Sequence, residues 1–532
     1  MPILRKILKF FGVCVVLAAF LWLAMQLFFP EKYEQYVAPY LSRFVSQNQE
    51  GQAKIEKEKL VIAFAKDVDV LDPTSMDPGV RNRLLQIYEP LVLTDSFWNV
   101  LPGLASSYGQ IDDKTWEFRL RRNAQFHNSK LLTADDVIAS IDRAKNFADS
   151  QMKNIVGSIT AEASGTDKVV IKTDFPDPLI LQKLSFILIM PKEFADEVAP
   201  KLIGTGPYKF SNKQASEMSF IRYDGYWGGK STARNLLIKV IPDKEARIKA
   251  LTSHEIDILG DVPPTYIESL NRSKVSVVTM PSYEVTFLLF DMKSPVFSNK
   301  DFRKAVAMSI DKKRFMLSTV GYTREVNQFV SSGVFGFDQS IKPISYDPKT
   351  ASETVGKVSD FESIPVKFVV PEGMVDTAKE IFSMLKQVGF DVSLISKKSD
   401  DFEKSLGDNE GDIYLMGWKS DIADANDFVQ SVIHTKDEKK SLGMYNAGEY
   451  SNPALDKIIE ESMREINMGK RLKTLHEIMK VVAEDDVIGV PLFETQVIYG
   501  VSENVTFTPR ADGYILAKDI TQNSKVKSQS YN

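Results

Sequence analysis

The sequence contains one cysteine and four histidines in 532 residues. The cysteine, Cys14, lies inside an apolar N-terminal segment, so the rest of the chain has no disulfide, no thiolate nucleophile and no cysteine-based metal site. Two histidines, His254 and His476, are followed by glutamate, but neither continues to the His-Glu-x-x-His pattern of zinc peptidases. The sequence therefore predicts a protein that binds no metal ion and needs no cofactor.

Signatures of catalysis and of nucleic-acid binding are also missing. There is no Gly-x-Ser-x-Gly motif, and Gly204-Thr-Gly206 is followed by Pro207 rather than by the Lys-Ser/Thr of a phosphate-binding loop. The net charge of −5 contrasts with the basic character of nucleic-acid-binding domains. We therefore expect no catalytic residues, no enzymatic activity and no nucleic-acid partner.

An acidic stretch holds Asp421, Asp424 and Asp427 at intervals of three residues. It lacks the ligand spacing and the central glycine of a calcium-binding loop. Short acidic side chains are instead typical of helix N-termini, where they accept hydrogen bonds from free backbone N–H groups. The sequence predicts helix capping before Phe428, with Asp427 as the favoured residue.

The N-terminus carries an apolar run that is long enough to cross a membrane. Residues 10–30 are uncharged, which matches the roughly 20 residues that a transmembrane helix needs. Arg5, Lys6 and Lys9 precede the run, so the N-terminus is expected to stay in the cytoplasm while the rest is exported. We predict a cytoplasmic tip and transmembrane anchor over residues 1–30 and a polar stalk over residues 31–59, with the body on the extracellular or periplasmic side.

Two other interpretations of the N-terminal segment are less favoured. A cleaved signal peptide has a shorter apolar region and a small-x-small cleavage site, whereas this run ends in bulky residues. Lipid attachment at Cys14 would need a small residue before the cysteine and an apolar run mostly upstream of it. Here Val13 precedes Cys14, and most of the run follows it.

From residue 60 onward, helical and extended patterns alternate irregularly. Residues 60–64 are apolar and predict a buried strand, and residues 115–121 alternate between apolar and charged side chains, as a half-buried strand does. Thr133 and Asp136 predict a capping box, and Asn452 with Pro453 predicts another helix start. Further helices are predicted at 80–88, from Phe302 and from Leu472. The chain shows no repeat and no flexible linker, so its fold class is mixed α/β.

Ten short segments, which occur in the same order as in the family, resemble the family 5 extracellular solute-binding proteins, the peptide- and nickel-binding receptors of ABC importers. The resemblance covers nearly all of residues 60–517, and the FHNSK segment departs from the family's pattern by having Asn128-Ser129 in place of Asp-Gly. The matching segments are LDP at 71–73, IYEPL at 87–91, LPGLA at 101–105, WEFRLR at 116–121, FHNSK at 126–130, TADDV at 133–137, GTGPY at 204–208, EID at 255–257, FRKA at 302–305 with Asp311, and GW at 417–418 with Asp421.

The resemblance implies a two-lobed periplasmic-binding-protein-like fold (type II, cluster C) with an extra subdomain inserted in the first lobe. Ligand is then held in the cleft between lobes that close by hinge motion. The expected domain bounds are 60–100, 203–282 and 485–532 for lobe I, 101–202 for the inserted subdomain, and 283–484 for lobe II.

The resemblance also implies two ligand-binding residues. In the family's peptide receptors, an aspartate three residues after the tryptophan of a W-x-x-D motif pairs with the ligand's α-ammonium group, and Trp418-Lys-Ser-Asp421 has that spacing. Asp421 is therefore the expected amine-binding residue and Trp418 the wall of an apolar pocket. Tyr208, His127 and Arg303 are expected to be scaffold residues.

The expected function is capture of peptides and their delivery to an ABC permease by a monomeric, membrane-anchored receptor. Three alternatives stay open on the sequence: a receptor for a nickel chelate or another small solute, a peptide sensor or adaptor without transport, and a surface hydrolase. Neither ligand identity nor the choice between import and sensing follows from the sequence.

Overall fold

The structure, a computed structural model, describes residues 57–318, 322–357 and 365–522. The predicted membrane segment and all but the last residues of the predicted stalk lie outside these ranges. Within them, no helix is long and apolar enough to cross a membrane.

The described residues form fourteen α-helices, several of them with the N-terminal signals seen in the sequence. The helices are α1 Pro78–Leu84, α2 Ala134–Asn146, α3 Lys153–Val156, α4 Ile180–Leu184, α5 Lys244–Thr252, α6 Ile267–Asn271, α7 Lys300–Ser309, α8 Lys313–Ser318, α9 Pro348–Gly356, α10 Val375–Gln387, α11 Ser399–Gly407, α12 Ala425–Phe428, α13 Pro453–Ser462 and α14 Met468–Lys480.

Twenty-one β-strands accompany these helices in the described part of the chain. The strands are β1 Lys57–Phe64, β2 Glu89–Pro90, β3 Val92–Thr94, β4 Val100–Pro102, β5 Ala105–Asp112, β6 Thr115–Leu120, β7 Ile159–Ala163, β8 Lys168–Thr173, β9 Leu188–Ile189, β10 Tyr208–Gln214, β11 Glu217–Arg222, β12 Ala233–Val240, β13 Ile258–Leu259, β14 Val275–Phe290, β15 Thr323–Glu325, β16 Val366–Pro371, β17 Val392–Lys397, β18 Ile413–Lys419, β19 Gly489–Ser502, β20 Val505–Thr506 and β21 Thr521–Gln522.

Eleven of the strands form one sheet in the order β10-β11-β12-β1-β13-β19-β14-β18-β16-β17, with β15 added beside β19. One end contains the parallel strands β12, β1 and β13, and the other contains the parallel strands β17, β16 and β18. The long antiparallel pair β14 and β19 joins the two ends. The register of this pair breaks near its middle, where residues 282–284 of β14 lie opposite Thr495 alone.

A separate four-stranded antiparallel sheet, in the order β5-β6-β8-β7, packs against α2. Strand β6 is the strand predicted from its alternating pattern. Phe118 and Leu120 are buried and Trp116 is half-buried on the apolar face. This sheet falls within the predicted inserted subdomain, whose exact bounds stay a prediction.

Strand β1 has both faces covered, which explains its continuous run of apolar residues. Leu60 and Ile62 belong to one hydrophobic cluster, whereas Val61 and Ala63 belong to another. A strand that is buried on both faces needs apolar side chains at every position. The predicted strand at residues 60–64 is confirmed, together with a mixed α/β content.

The local helix signals mostly agree with the structure. Thr133 and Asp136 form the predicted capping box before α2, and the Asn452 side chain caps α13 by accepting a hydrogen bond from Leu455 N–H. The helix predicted over 80–88 is shorter, since α1 ends at Leu84. Helix bounds of this kind depend on tertiary packing, which the local pattern does not contain.

Candidate functional site

A cavity of about 470 Å³, called here the central cavity, lies where strands β1 and β13 end. It is lined on one side by residues 65–68 after β1 and residues 260–261 after β13, and on the other by Glu284 of β14 and Lys419 of β18. Ligands of open α/β sheets bind beyond the carboxyl ends of the parallel strands. The sheet topology therefore marks the central cavity as the candidate ligand site.

The two residues predicted to bind ligand lie beside Lys419, at the end of β18. Lys419 lines the central cavity, and Trp418 precedes it in the strand while Asp421 follows two residues later. Among the described residues, neither Trp418 nor Asp421 lines the central cavity itself. The structure thus places the predicted pair at the margin of the candidate site.

Trp418 is half-buried in an aromatic cluster. Its ring centroid lies 6.0 Å from that of Phe428 and 5.7 Å from that of Tyr445, both in edge-on geometry. The indole Nε1 donates a hydrogen bond to Oδ2 of Asp427 at 3.3 Å. Because Tyr445 is exposed, this cluster presents aromatic surface to solvent and can form one wall of an apolar pocket.

The carboxylate of Asp421 has no hydrogen-bond or ion-pair partner among the described residues. The side chain keeps contact with solvent, but the protein atoms around it displace enough water to raise its pKa. The positive charges of Lys419 and Arg81 oppose that rise. A partly desolvated carboxylate of this kind gains most from a cationic, hydrogen-bonding ligand group.

Asp427 is a second carboxylate, close to both Trp418 and Asp421. Burial, followed by the charge of Asp421, raises the pKa of Asp427 to about 7, although hydrogen bonds from Trp418 and from the backbone N–H of Asp421 lower it. Asp427 therefore links Trp418 and Asp421 in one cluster. The prediction that Asp427 caps the following helix is wrong, because the Asp424 side chain accepts the hydrogen bond from Asn426 N–H at the start of α12.

Lys419 connects the end of β18 to the C-terminal segment. Its Nζ donates a hydrogen bond to the backbone carbonyl of Asp512 at 3.2 Å. Across the strand pair, Lys419 lies opposite Glu284, whose pKa is raised by burial and lowered in part by the lysine charge. A Cβ on Gly417 would lie 2.9 Å from Oε1 of Glu284, so the glycine leaves room for that side chain.

No group of three or more histidine, cysteine, aspartate or glutamate side chains is placed to hold a metal ion within the ranges that the structure describes. His434 has Asp456 and Glu460 near its ring. Its Nδ1 is already engaged by the carbonyl of Thr435.

The mixed α/β fold agrees with the comparisons with known proteins. The model of the "Bacterial extracellular solute-binding proteins, family 5 Middle" matches residues 99–440, which is more than half of the chain. The chain belongs to this family. The resemblance seen in the sequence is thereby confirmed.

Relatives in the solute-binding family share the fold at low sequence identity. The chain is 22% identical to the peptide transport periplasmic protein SapA of Salmonella typhimurium over 483 residues, covering 82% of this chain and 87% of SapA. Its structure matches NikA from Brucella suis in complex with Fe(III)-EDTA with a TM-score of 0.79 and 22% identity, covering 88% and 100% of the chains. It matches the oligopeptide-binding protein AppA from Bacillus subtilis in complex with a nonapeptide with a TM-score of 0.72 and 19% identity, again covering 88% and 100%.

The three residues predicted to be scaffold are buried and bonded within the fold. The Tyr208 hydroxyl donates to the carbonyl of Ala233 at 3.0 Å, and a ring nitrogen of His127 lies 3.0 Å from the carbonyl of Gly206. Arg303 donates to the carbonyls of Phe297, Asp486 and Val487. This bonding agrees with a scaffold role, and the absence of ligand contact at the three residues stays a prediction.

Sequence reasoning missed several charged residues of the site. Arg81, Glu284 and Asp512 come from segments far apart in the chain, and each looks like an ordinary charged residue within its local pattern. No local motif brings them to Lys419 and Asp421. The pairing of β14 with β18 places Glu284 beside Lys419, and the return of the C-terminal segment places Asp512 there.

Proposed function

We propose that this chain is a receptor that captures peptides at the central cavity and delivers them to the permease of an ABC importer, without chemical change to the ligand. The observation that carries the proposal is the Asp421 carboxylate, which has no partner among the described residues and stands beside the aromatic surface of Trp418. A free α-ammonium group would pair with Asp421, and a ligand side chain would pack on Trp418. Membership of the solute-binding family supports a binding role rather than catalysis.

Lobe motion is part of the proposal. We propose that the β12-β1-β13 end of the sheet and the β17-β16-β18 end belong to two lobes, and that β14 and β19 are the strands that cross between them. The register break opposite Thr495, where Tyr283 has a φ of 59°, supports a hinge there. On this basis the chain returns from lobe II to lobe I near Thr495, rather than between residues 484 and 485 as the sequence predicts.

The membrane attachment is also proposed, since it rests on the sequence alone. Residues 1–30 anchor a monomeric receptor with its body outside the cytoplasmic membrane. Carbonate washing of membranes should leave the full chain in the pellet, and protease added to intact spheroplasts should cut the body. Release of the body by carbonate would contradict a transmembrane anchor. Incorporation of labelled fatty acid at Cys14 would show that the protein is attached by a lipid instead.

The binding experiment uses the full chain and compares Ala-Ala-Ala with N-acetyl-Ala-Ala-Ala. A ligand that binds only the folded state stabilises it by about 2.7 kcal/mol at 100 times its dissociation constant, so the free peptide should raise the unfolding temperature and the acetylated one should not. Equal shifts would contradict the role of Asp421. A shift with nickel chelates or sugars and with no peptide would contradict peptide capture.

Import is tested separately from binding. A strain that lacks the gene should lose uptake of a labelled peptide that binds the receptor, and the wild-type gene should restore it. Normal uptake in the deletion strain would instead support a sensor or adaptor role. Mass spectrometry of peptide that has been incubated with the receptor should recover it intact, and cleavage would indicate a hydrolase.

A further inference from the structure

Glu284, in strand β14, presents a carboxylate to the central cavity. Its side chain is half-buried, and no hydrogen bond or ion pair engages the carboxylate among the described residues. Burial raises the pKa of this group, because the charged form loses water around it. A partly desolvated carboxylate recovers that loss when a charged, hydrogen-bonding partner arrives. In a ligand cavity, that partner is a cationic group of the ligand.

The other four carboxylates that line the central cavity differ from Glu284. Asp261 is exposed, so water hydrates it. The other three are engaged within the protein: Asp67 by Lys213 Nζ at 3.5 Å, Asp77 by the backbone N–H of Val80 at 2.8 Å, and Asp512 by Arg510 Nε at 3.0 Å. Glu284 is therefore the carboxylate of this cavity that is shielded from water without being engaged by the described chain.

Lys419 lies directly opposite Glu284 on strand β18, but it does not take up the free carboxylate. Its charge lowers the pKa of Glu284 only in part. The ammonium group donates instead to the backbone carbonyl of Asp512 at 3.2 Å, and no ion pair joins the two side chains in the described structure. The negative charge of Glu284 thus remains free for a ligand.

The backbone around Glu284 is held in an irregular conformation. The register of β14 breaks at residues 282–284, and such a bulge re-aims the side chains that it carries. Tyr283 has a φ of 59°, which is strained for a bulky residue. The Ser282 hydroxyl donates to the carbonyl of Thr495 at 3.0 Å and accepts from the N–H of Glu284 at 3.2 Å. Strain that is held in this way is common at ligand-binding positions.

We propose that Glu284 binds a basic side chain of the ligand, so that the central cavity selects peptides that carry a lysine or an arginine. The cavity, at about 470 Å³, has the size of a small-ligand pocket. Gly417 has no side chain to crowd the carboxylate. This inference rests on the proposed function, in which Asp421 pairs with the α-ammonium group and Glu284 takes a second cation.

The positions of the two carboxylates limit where the basic residue lies in the peptide. Glu284 lies opposite Lys419, and Asp421 follows Lys419 by two residues. Side chains directly opposite each other on paired strands have Cβ atoms about 5 Å apart, and an extended peptide rises about 3.3 Å per residue. We therefore expect the selected side chain within the first three residues of the peptide.

The first experiment compares peptides that differ only in the charge of one side chain, by calorimetry on the full chain. Lys-Ala-Ala, Ala-Lys-Ala and Ala-Ala-Lys are each paired with the same peptide containing norleucine, which has an unbranched four-carbon side chain without the ammonium group. At one position, lysine should bind about tenfold to a hundredfold more tightly than norleucine. The absence of such a preference at all three positions would overturn the proposal.

Glu284→Gln makes the test specific to the carboxylate, because glutamine keeps the shape of the side chain and removes its charge. The variant should lose the preference for lysine over norleucine. Glu353→Gln, at an exposed position of α9, is the matched control and should keep it. A preference that persists in Glu284→Gln would overturn the proposal, whether or not the variant binds both peptides more weakly.

The cation site can also be tested if no peptide binds. Ethylammonium chloride then serves as the probe, compared with sodium chloride at equal ionic strength in the Asp421→Asn variant of the full chain. A higher unfolding temperature with ethylammonium, lost when Glu284→Gln is added, would support the cation site while the peptide function fails. Equal effects of the two salts in Asp421→Asn would overturn the cation site as well.

Discussion

Asp424 and Arg471 form a bidentate ion pair, with Nη1 and Nη2 of the arginine 2.6 and 2.7 Å from the two carboxylate oxygens. Both side chains are almost fully buried. The pair connects the start of α12 to α14, and Arg471 Nε also donates to the carbonyl of Ser462 at the end of α13. It therefore fixes the segment that carries Asp421 and Asp427 against the helices behind it.

Asp424→Asn should lower the free energy of unfolding by roughly 3–5 kcal/mol, because it leaves the buried guanidinium of Arg471 without its counter-charge. Chemical denaturation of the variant measures the loss. The double variant Asp424→Asn with Arg471→Met is the control and should lose less than the sum of the two single variants. Additive losses would show that the two side chains do not act as a pair.

Asp421→Asn should weaken binding of Ala-Ala-Ala by about tenfold to a hundredfold, since the charge-assisted hydrogen bond to the ammonium group is lost. Isothermal titration calorimetry measures the change. The exposed Asp400→Asn in α11 is the matched control and should bind as the wild type does. Unchanged affinity in Asp421→Asn would remove this residue from the binding site.

The affinity for a free-amine peptide should rise with pH between about 5 and 7. Burial raises the pKa of Asp421 and brings that of Asp427 to about 7, so both carboxylates bind protons as the pH falls and lose the charge that attracts an ammonium group. Calorimetry at several pH values tests this. An affinity that is flat over this range would mean that neither carboxylate contacts the amine.

Asp427→Asn should stabilise the protein at pH 8 and have little effect at pH 4. The folded pKa of Asp427, about 7, exceeds the unfolded value near 3.9, so the folded state binds more protons between these values and stability falls as the pH rises through them. We expect a gain on the order of 1–3 kcal/mol at pH 8, measured by denaturation. A constant difference from pH 4 to pH 8 would contradict the raised pKa.

Gly489→Ala should destabilise the fold where β14 and β19 pair. The added Cβ would lie 2.0 Å from the backbone carbonyl oxygen of Leu288, and the backbone must move to relieve that contact. We expect the free energy of unfolding, measured by chemical denaturation, to fall by roughly 1–3 kcal/mol. Gly109→Ala on the exposed strand β5 is the control, because nothing lies within 4 Å of the added carbon, and it should leave stability nearly unchanged.

Much of the local structure could be predicted from the sequence because its causes are local. The alternation in β6, the apolar run of β1 and the capping signals of α2 and α13 each depend on neighbouring residues, and the structure contains all four. The family resemblance also named Trp418 and Asp421 as ligand-binding residues, and the structure places them at the end of β18, beside the Lys419 that lines the central cavity. Whether either residue contacts ligand stays a prediction.

The errors have tertiary causes. Asp424 and Asp427 have the same side chain three residues apart, and sequence pattern favoured Asp427 as the cap. Arg471, from a helix 47 residues away, pairs with Asp424, whereas Trp418 donates to Asp427. The aspartate that caps α12 is thus held by a partner, Arg471, that is distant in sequence.

The sequence by itself determined the secondary-structure pattern, the family and the lack of familiar catalytic motifs, because each of these is carried by residue types and short spacings. Only the tertiary structure decided that Arg81 is buried, that its charge acts on Asp421, and that Lys419 reaches Asp512. The physical reason is that burial and charge pairing are properties of chain segments brought together over long sequence distances. The local sequence pattern does not show which distant segments come into contact.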